Sequence, residues 1–147
     1  GEIVWAATKA LINASAIVLV AALLGLVAGP AVLLVLPVIL LGGLAFAGIA
    51  MIVTALSPSY DFFLYYFTLV MTPMLLLSGV FFPLSSLPQA VQIGAQCLPL
   101  AHMVMLVRPL MTGGTIAAPL LHLGVITLYI VATYWISAAL ARRRLIR

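Results

Sequence analysis

This sequence carries very few charged side chains. Of its 147 residues only 5% are charged, while 67% are hydrophobic. Soluble domains carry about 25% charged residues, so this chain has too few polar side chains to cover its own surface in water. The composition therefore predicts an integral membrane protein.

Cysteine and lysine are nearly absent, and each scarcity excludes a class of site. The single cysteine, Cys97, rules out an internal disulfide and any multi-cysteine metal site. The single lysine, Lys9, lies in no G-x-x-x-x-G-K-[ST] loop, the motif in which a lysine meets the phosphates of a nucleotide. This chain therefore cannot bind ATP by a P-loop.

The few residues that could do chemistry do not form an enzyme site. An intramembrane serine protease is disfavoured because the glycine expected two residues before Ser78 is missing. The candidate bases, His102 and His122, stand far apart in the chain, and Glu2 and Asp61 are predicted on the other side of the membrane. These four side chains are therefore not expected to form a metal site.

Long apolar runs dominate what is present. Four runs reach the length of about 20 residues that a spanning helix needs. They do not alternate polar and apolar residues, which argues against a β-barrel. We predict an all-α integral membrane fold with four transmembrane helices, at 10–28, 31–56, 62–82 and 117–140.

Basic residues predict how these helices are oriented. Arginines crowd the C-terminus after the fourth run, and positively charged flanks usually lie in the cytoplasm. Counting back through four helices places Lys9 in the cytoplasm too and leaves Arg108 outside. The basic residues thus indicate membrane topology and do not form a nucleic-acid-binding patch. The C-terminal arginines are Arg142, Arg143, Arg144 and Arg147.

Residues 83–116 separate the third run from the fourth and are predicted outside. The segment is too long for a simple turn and too apolar for a free loop. A short helix carrying Gln89 and Gln92 on one face is followed by a break at Leu98-Pro99 and by a second short helix. We predict an external re-entrant helical hairpin. It could be a structural plug, an outer gate for a substrate, or both.

One long motif resembles a known family. FFLYYFTLVMTPMLLLSGVFFPLSSLPQAVQIGAQCLPLAHMVMLVRPLMTG, from Phe62 to Gly113, is similar to the C-terminal signature of type-2 ABC exporter permeases. Within that class it resembles the branch of the nodulation-factor (lipo-oligosaccharide) export permeases, related to polysaccharide and drug exporters. The resemblance extends over essentially the whole chain, and the combination SGVFFP…LP…LPL.H…R is its most specific part.

The resemblance implies an architecture and a set of partners. Family members have six spanning helices and work as two permease copies with cytoplasmic ABC ATPase subunits in the bacterial inner membrane. This chain, which starts at Gly1 without a methionine, would be an N-terminally truncated permease supplying the third to sixth helices. It would be no enzyme and hold no cofactor, since ATP-Mg would bind to the partner. The substrate would be amphipathic: a lipo-oligosaccharide, a polysaccharide or a drug-like molecule.

The resemblance also assigns residues to ATPase coupling. Residues 1–9 match the position of the cytoplasmic coupling helix, with Glu2, Trp5 and Lys9 as candidate contacts. Asp61 follows Ser57-Pro58 at the start of the third helix, where an acid complements the helix dipole. A contact with the ATPase is the alternative role for Asp61.

An aromatic cluster occupies the cytoplasmic half of the third run. It is either an interfacial belt with helix packing or the lining of a substrate path, since aromatic faces suit sugar rings and acyl chains. Its members are Phe62, Phe63, Tyr65, Tyr66 and Phe67.

The external gate is the third candidate site. Arg108, the only charge predicted outside, would anchor lipid headgroups or contact an anionic or polar substrate. Outside this family reading, an ATP-independent carrier or scaffold subunit is the alternative function. A carrier would need polar or charged groups near the bilayer midplane, and we find few. The gate residues are Ser78, Gly79, Pro83, Pro88, Pro99, His102 and Arg108.

Overall fold

The structure, a computed structural model, describes the backbone of residues 1–145 and the side chains of residues 1–143. All regular secondary structure in that range is helical. Short 3-10 turns, Pro30–Leu34 and Leu84–Ser86, precede the second and fourth helices. The helices are α1 (Glu2–Leu23), α2 (Val35–Leu56), α3 (Tyr60–Leu77), α4 (Gln89–Ala95), α5 (Pro99–Thr112) and α6 (Pro119–Leu145).

Four of these helical units are long and apolar enough to cross a membrane. They are α1, the unit Pro30–Leu56 that contains α2, α3, and α6. The predicted all-α integral membrane fold with four spanning helices is confirmed. Two of the arginines used to predict orientation, Arg144 and Arg147, have side chains outside the described part of the chain.

The first helix does not divide where we predicted. A boundary was expected between a coupling segment at 1–9 and a span at 10–28, but α1 runs without a break from Glu2 to Leu23. Residues 2–23 contain no proline or glycine, so nothing in the sequence interrupts the helical hydrogen bonds. The helix ends two residues before Gly25, which takes the left-handed conformation with φ +70°.

The third and fourth spans are also displaced from their predicted bounds. The third was predicted at 62–82, but α3 begins at Tyr60 and ends at Leu77. It ends early because Gly79 has φ +84°, which turns the chain out of the helix. The fourth was predicted at 117–140, but α6 begins at Pro119 and continues to Leu145. It begins at Pro119 because proline is favoured in the first helical turn.

The middle of α3 is a wide helical turn. Residues Phe67–Met71 form a π-helical segment, in which the Thr72 N–H bonds to the Phe67 carbonyl five residues back. Pro73 follows, lacking a backbone donor and carrying a ring that clashes with the preceding turn of a regular helix. The wider turn before Pro73 is a recognised response to such a break.

Glycines allow the other spans to approach closely. A Cβ added at Gly43 would lie 3.1 Å from the Cα of Ala7 in α1, and one added at Gly48 would collide with Thr133 in α6. The core cluster joins α2, α5 and α6 through Val35, Leu106 and Ile126. In contrast, α3 stands at the edge of the bundle, with Met74 as its buried side chain.

The bundle therefore has two distinct ends. Glu2 shares a cavity with Met51, near the end of α2, and with Ala141, near the end of α6. At the opposite end, the loop after α1 reaches α5, where the Ala28 N–H bonds to the Met111 carbonyl at 3.1 Å. We call these the Glu2 end and the hairpin end.

Candidate functional site

The segment between α3 and α6 folds as a sharply bent helical hairpin. Helices α4 and α5 meet at 93°, the geometry of a broken span or a re-entrant loop. The bend lies at Leu98, which is extended because the residue before a proline disfavours the helical conformation. Pro99 then opens α5, and Pro88 occupies the N-cap position of α4. The predicted break at Leu98-Pro99 is present.

A buried histidine pair joins the hairpin to the last span. The Nδ1 atoms of His102 in α5 and His122 in α6 are 2.7 Å apart, and the two side chains are 3% and 8% exposed. The other ring nitrogen of His102, Nε2, lies 2.7 Å from the carbonyl oxygen of Gln96. A carbonyl oxygen only accepts, so Nε2 donates to it. In the neutral pair, His102 Nδ1 then accepts a hydrogen bond from the Nδ1–H of His122.

Two further bonds tie the hairpin to its neighbours. The Tyr129 hydroxyl in α6 donates to the carbonyl of Cys97, beside the bend. The guanidinium of Arg108 in α5 donates from Nη2 to the carbonyls of Gly79 and, at 3.2 Å, Val80, in the turn after α3. The hairpin is thus bonded to the last span, α6, and to the turn that follows α3.

Some of the predicted gate residues come together around one cavity and others do not. Ser78, Gly79, Pro83 and Arg108 line a cavity of about 320 Å³ at the hairpin end, together with His122. Ser78 is fully buried, and its hydroxyl donates to the Leu75 carbonyl at 3.0 Å. The other three predicted residues are not part of the cavity wall. Pro88 and Pro99 lie at the starts of α4 and α5, and His102 bonds the hairpin to α6.

The predicted coupling residues lie at the other end of the bundle. Trp5 is 58% exposed on α1, and the Lys9 ammonium one turn later lies 5.1 Å from its ring centroid, within range of a cation–π contact. Glu2 lies in the first turn of α1 and Asp61 in the first turn of α3. Since α2 ends at Leu56, shortly before Asp61, both acids belong to the Glu2 end.

The predicted aromatic cluster is spread over the outward surface of α3. Its side chains range from half-buried Tyr66 to Tyr65 at 66% exposure, and Phe63 meets Tyr66 edge to face at 6.4 Å. Tyr65 lines an open surface cavity with Asp61 and Thr68. The cluster therefore does not fill the core of this chain. The remaining members, Phe62 and Phe67, are 42% and 58% exposed.

The side chains of α6 that bond to the hairpin were not predicted from the sequence. We weighed His122 only as a candidate base and metal ligand, and we did not consider Tyr129. These two residues are separated by seven positions, about two helical turns, so they project from one face of α6. The same face buries Ile126 and Thr133. A search for polar residues at helical spacing in the fourth run would have found this face.

The chain is similar to proteins of one known family. The model of the ABC-2 type transporter family matches residues 1–112. The Nodulation protein J of Rhizobium leguminosarum bv. viciae is 54% identical over 147 residues, which is 100% of this chain and 57% of the relative. That of Rhizobium meliloti (strain 1021) is 51% identical over 145 residues, 99% of this chain and 55% of the relative.

A third relative agrees with the first two. The Nodulation protein J of Neorhizobium galegae is 48% identical over 145 residues, covering 99% of this chain and 55% of the relative. The chain thus spans little more than half the length of these relatives. No solved structure matches it. The resemblance drawn from the Phe62–Gly113 motif is confirmed, and the chain belongs to the ABC-2 type transporter family. Its four helical units of spanning length make it a multi-pass membrane protein.

Proposed function

We propose that this chain is part of the permease subunit of an ATP-driven ABC exporter in the bacterial inner membrane, with its C-terminus in the cytoplasm. The observation that best supports this is the separation of two candidate sites along the same helices. Residues suited to meeting a partner, Glu2 to Lys9 and Asp61, lie at one end. The bonded hairpin, with Arg108 and its cavity, lies at the other.

The unbroken α1 suggests how the two ends would communicate. ATP binding would close a pair of partner ATPase subunits against the Glu2 end. A helix of 22 residues without proline or glycine moves as one body, so displacement at Glu2 would reach Leu23. The loop that follows bonds to α5 through Ala28 and Met111, so the motion would reach the hairpin. Opening of the hairpin would then release the substrate.

The surface of α3 is the best candidate for the substrate path. Its exposed aromatic rings suit sugar rings and acyl chains, and π-helical turns are frequent at functional sites. We therefore propose an amphipathic substrate of the lipo-oligosaccharide, polysaccharide or drug-like kind, enclosed between α3 and a second permease copy. The exposure of Phe62, Phe67 and Tyr65 supports a role outside this chain's own core.

Co-purification tests the ATP-driven function directly. The full-length protein would be extracted from its native membranes in mild detergent and its eluate assayed for ATP hydrolysis. Because this chain has no P-loop, we expect vanadate-sensitive activity from a separate subunit. A permease recovered without ATPase activity across several detergents would refute the proposal in favour of an ATP-independent carrier or a scaffold.

A further inference from the structure

Within the described part of this chain, Arg108 has no carboxylate to pair with. The sequence has two acidic side chains, Glu2 and Asp61, and both belong to the Glu2 end. Arg108 lies at the hairpin end, bonded to the turn after α3, so the length of α3 separates it from Asp61. A helix of 18 residues is about 27 Å long, far beyond the reach of a salt bridge.

The guanidinium also has donors to spare. Arginine carries five N–H groups in a planar fork that matches the oxygens of a phosphate. Its bonds to Gly79 and Val80 both come from Nη2. These two carbonyls fix the position of the fork and supply no full negative charge. Nη1 and Nε remain to bind an anion.

The cavity beside Arg108 can surround the rest of such an anionic group. It has a volume of about 320 Å³, and its wall includes the polar residues Ser78, Thr115 and His122. No acidic residue lines it. The cavity therefore favours a group with net negative charge over a zwitterion, whose cationic part would find no carboxylate there.

An apolar groove continues from the same arginine. Arg108 and Val104 line both the cavity and a groove of about 400 Å³ formed by Leu100, Met103, Val107 and Met111. A guanidinium at the junction of a polar cavity and an apolar groove matches an amphiphile with an anionic head and a hydrocarbon chain. The alkyl chain would cover methionine and leucine side chains that are partly exposed.

We propose that this junction is a binding site for an anionic phospholipid, with its phosphate on Arg108 and one acyl chain along the α5 groove. The lipid would hold α5 against the turn after α3 and so stabilise the closed hairpin. This site depends neither on ATP nor on the direction of transport.

Photolabelling of the full-length protein tests the site. The probe is phosphatidylglycerol with a diazirine in one acyl chain, compared with phosphatidylcholine carrying the same chains. We expect phosphatidylglycerol to label the α5 peptide preferentially, and Arg108→Gln to reduce that labelling about tenfold, the effect of losing one charge-assisted phosphate contact. Labelling near Arg142, an exposed arginine at the Glu2 end, serves as the internal control and should not change.

A second variant keeps the test decisive if Arg108→Gln misfolds. Val104→Trp fills the junction but leaves the charge in place, and it should reduce labelling of α5 as well. Excess soluble glycerol phosphate should not displace the lipid, because it lacks the chain that fills the groove. Equal labelling by phosphatidylcholine, unchanged labelling in both variants, or displacement by glycerol phosphate would each overturn the proposal.

Discussion

At the scale of single residues, the histidine pair has the clearest structural role. His102 could have been a ligand, a base or a packing residue. The structure gives it two hydrogen bonds, a buried one to His122 and a partly buried one to the Gln96 carbonyl, and the described residues contain no cluster of three or more metal-ligating side chains. Burial makes this pair sensitive to substitution, because a polar group left unpaired away from water destabilises the fold.

Replacing one histidine should lower the free energy of unfolding by more than half of the loss caused by replacing both. His102→Ala leaves His122 without its partner, and we expect the free energy of unfolding to fall by about 1–3 kcal/mol. His122→Ala should behave similarly, and the double variant should lose less than the sum. Titrating each variant in mild detergent with a denaturing surfactant measures its free energy of unfolding.

Thr127→Ala is the matched control for the histidine variants. Thr127 is exposed on the same helix, and its hydroxyl bonds only within α6, to the Leu123 carbonyl. We expect little change in the free energy of unfolding for this variant. Strictly additive losses for His102→Ala and His122→Ala would show that the pair is not coupled.

At the scale of elements, the close approach of α2 and α6 depends on a missing side chain. Gly48 faces Thr133, whose side chain occupies the space that a Cβ would need. Gly124 lies on α6 with nothing within 4 Å of an added Cβ. The two positions therefore differ in packing although both are helical glycines.

Gly48→Ala should destabilise the bundle by about 1–3 kcal/mol, the usual cost of overpacking. Gly124→Ala should cause no loss, because alanine is the better helix former and meets no neighbour there. The same unfolding titration compares the two variants. Equal effects at both positions would contradict the packing we describe.

Because α1 is continuous, a change at Glu2 should affect the coupling of ATP hydrolysis to export. Charge reversal by Glu2→Lys changes the Glu2 end without adding a helix breaker, so the fold should persist. We expect ATP hydrolysis by the full-length complex to continue while export falls, since the partner contact is altered. Thr8→Ala, a change on the same helix that removes only a bond to the Val4 carbonyl, is the control. Unchanged export in Glu2→Lys would remove Glu2 from the coupling role.

At the scale of the whole molecule, the two ends have opposite character. Among the described residues, the Glu2 end holds both acidic residues together with Lys9 and Arg142, whereas Arg108 is the charged residue of the hairpin end. This asymmetry agrees with the positive-inside rule, which would put the Glu2 end in the cytoplasm. Orientation in the membrane stays a prediction.

Cysteine labelling of intact cells tests this orientation. Gln89→Cys, in a Cys97→Ser background, places an exposed thiol on α4, and Ser59→Cys places one in the loop before α3. A membrane-impermeant maleimide should label position 89 in intact cells and position 59 only after the cells are opened. The reverse pattern would invert the topology and place the hairpin in the cytoplasm.

Much of the candidate site could be predicted from local sequence, and some of it could not. The break at Leu98-Pro99 was predictable because proline restricts the residue before it, whatever the fold. Ser78 and Arg108, which line one cavity, had been placed together only because both belong to one sequence motif, and their role as a gate stays a prediction. The connection of that cavity to His122 was not predicted, since it depends on how α6 is rotated about its axis.

The membrane class, the four spans and the interruption between the third and fourth could be read from the amino-acid sequence, because hydrophobic length and proline act within a few residues. The sequence was also compatible with residues 1–9 continuing into the first span, because no proline or glycine interrupts residues 2–23, but we had assigned residues 1–9 by resemblance. Which polar groups meet became clear from the three-dimensional structure: His102 with His122, Tyr129 with Cys97, and Arg108 with Gly79. Those partners are 20, 32 and 29 residues apart, and their contact depends on the packing of whole helices.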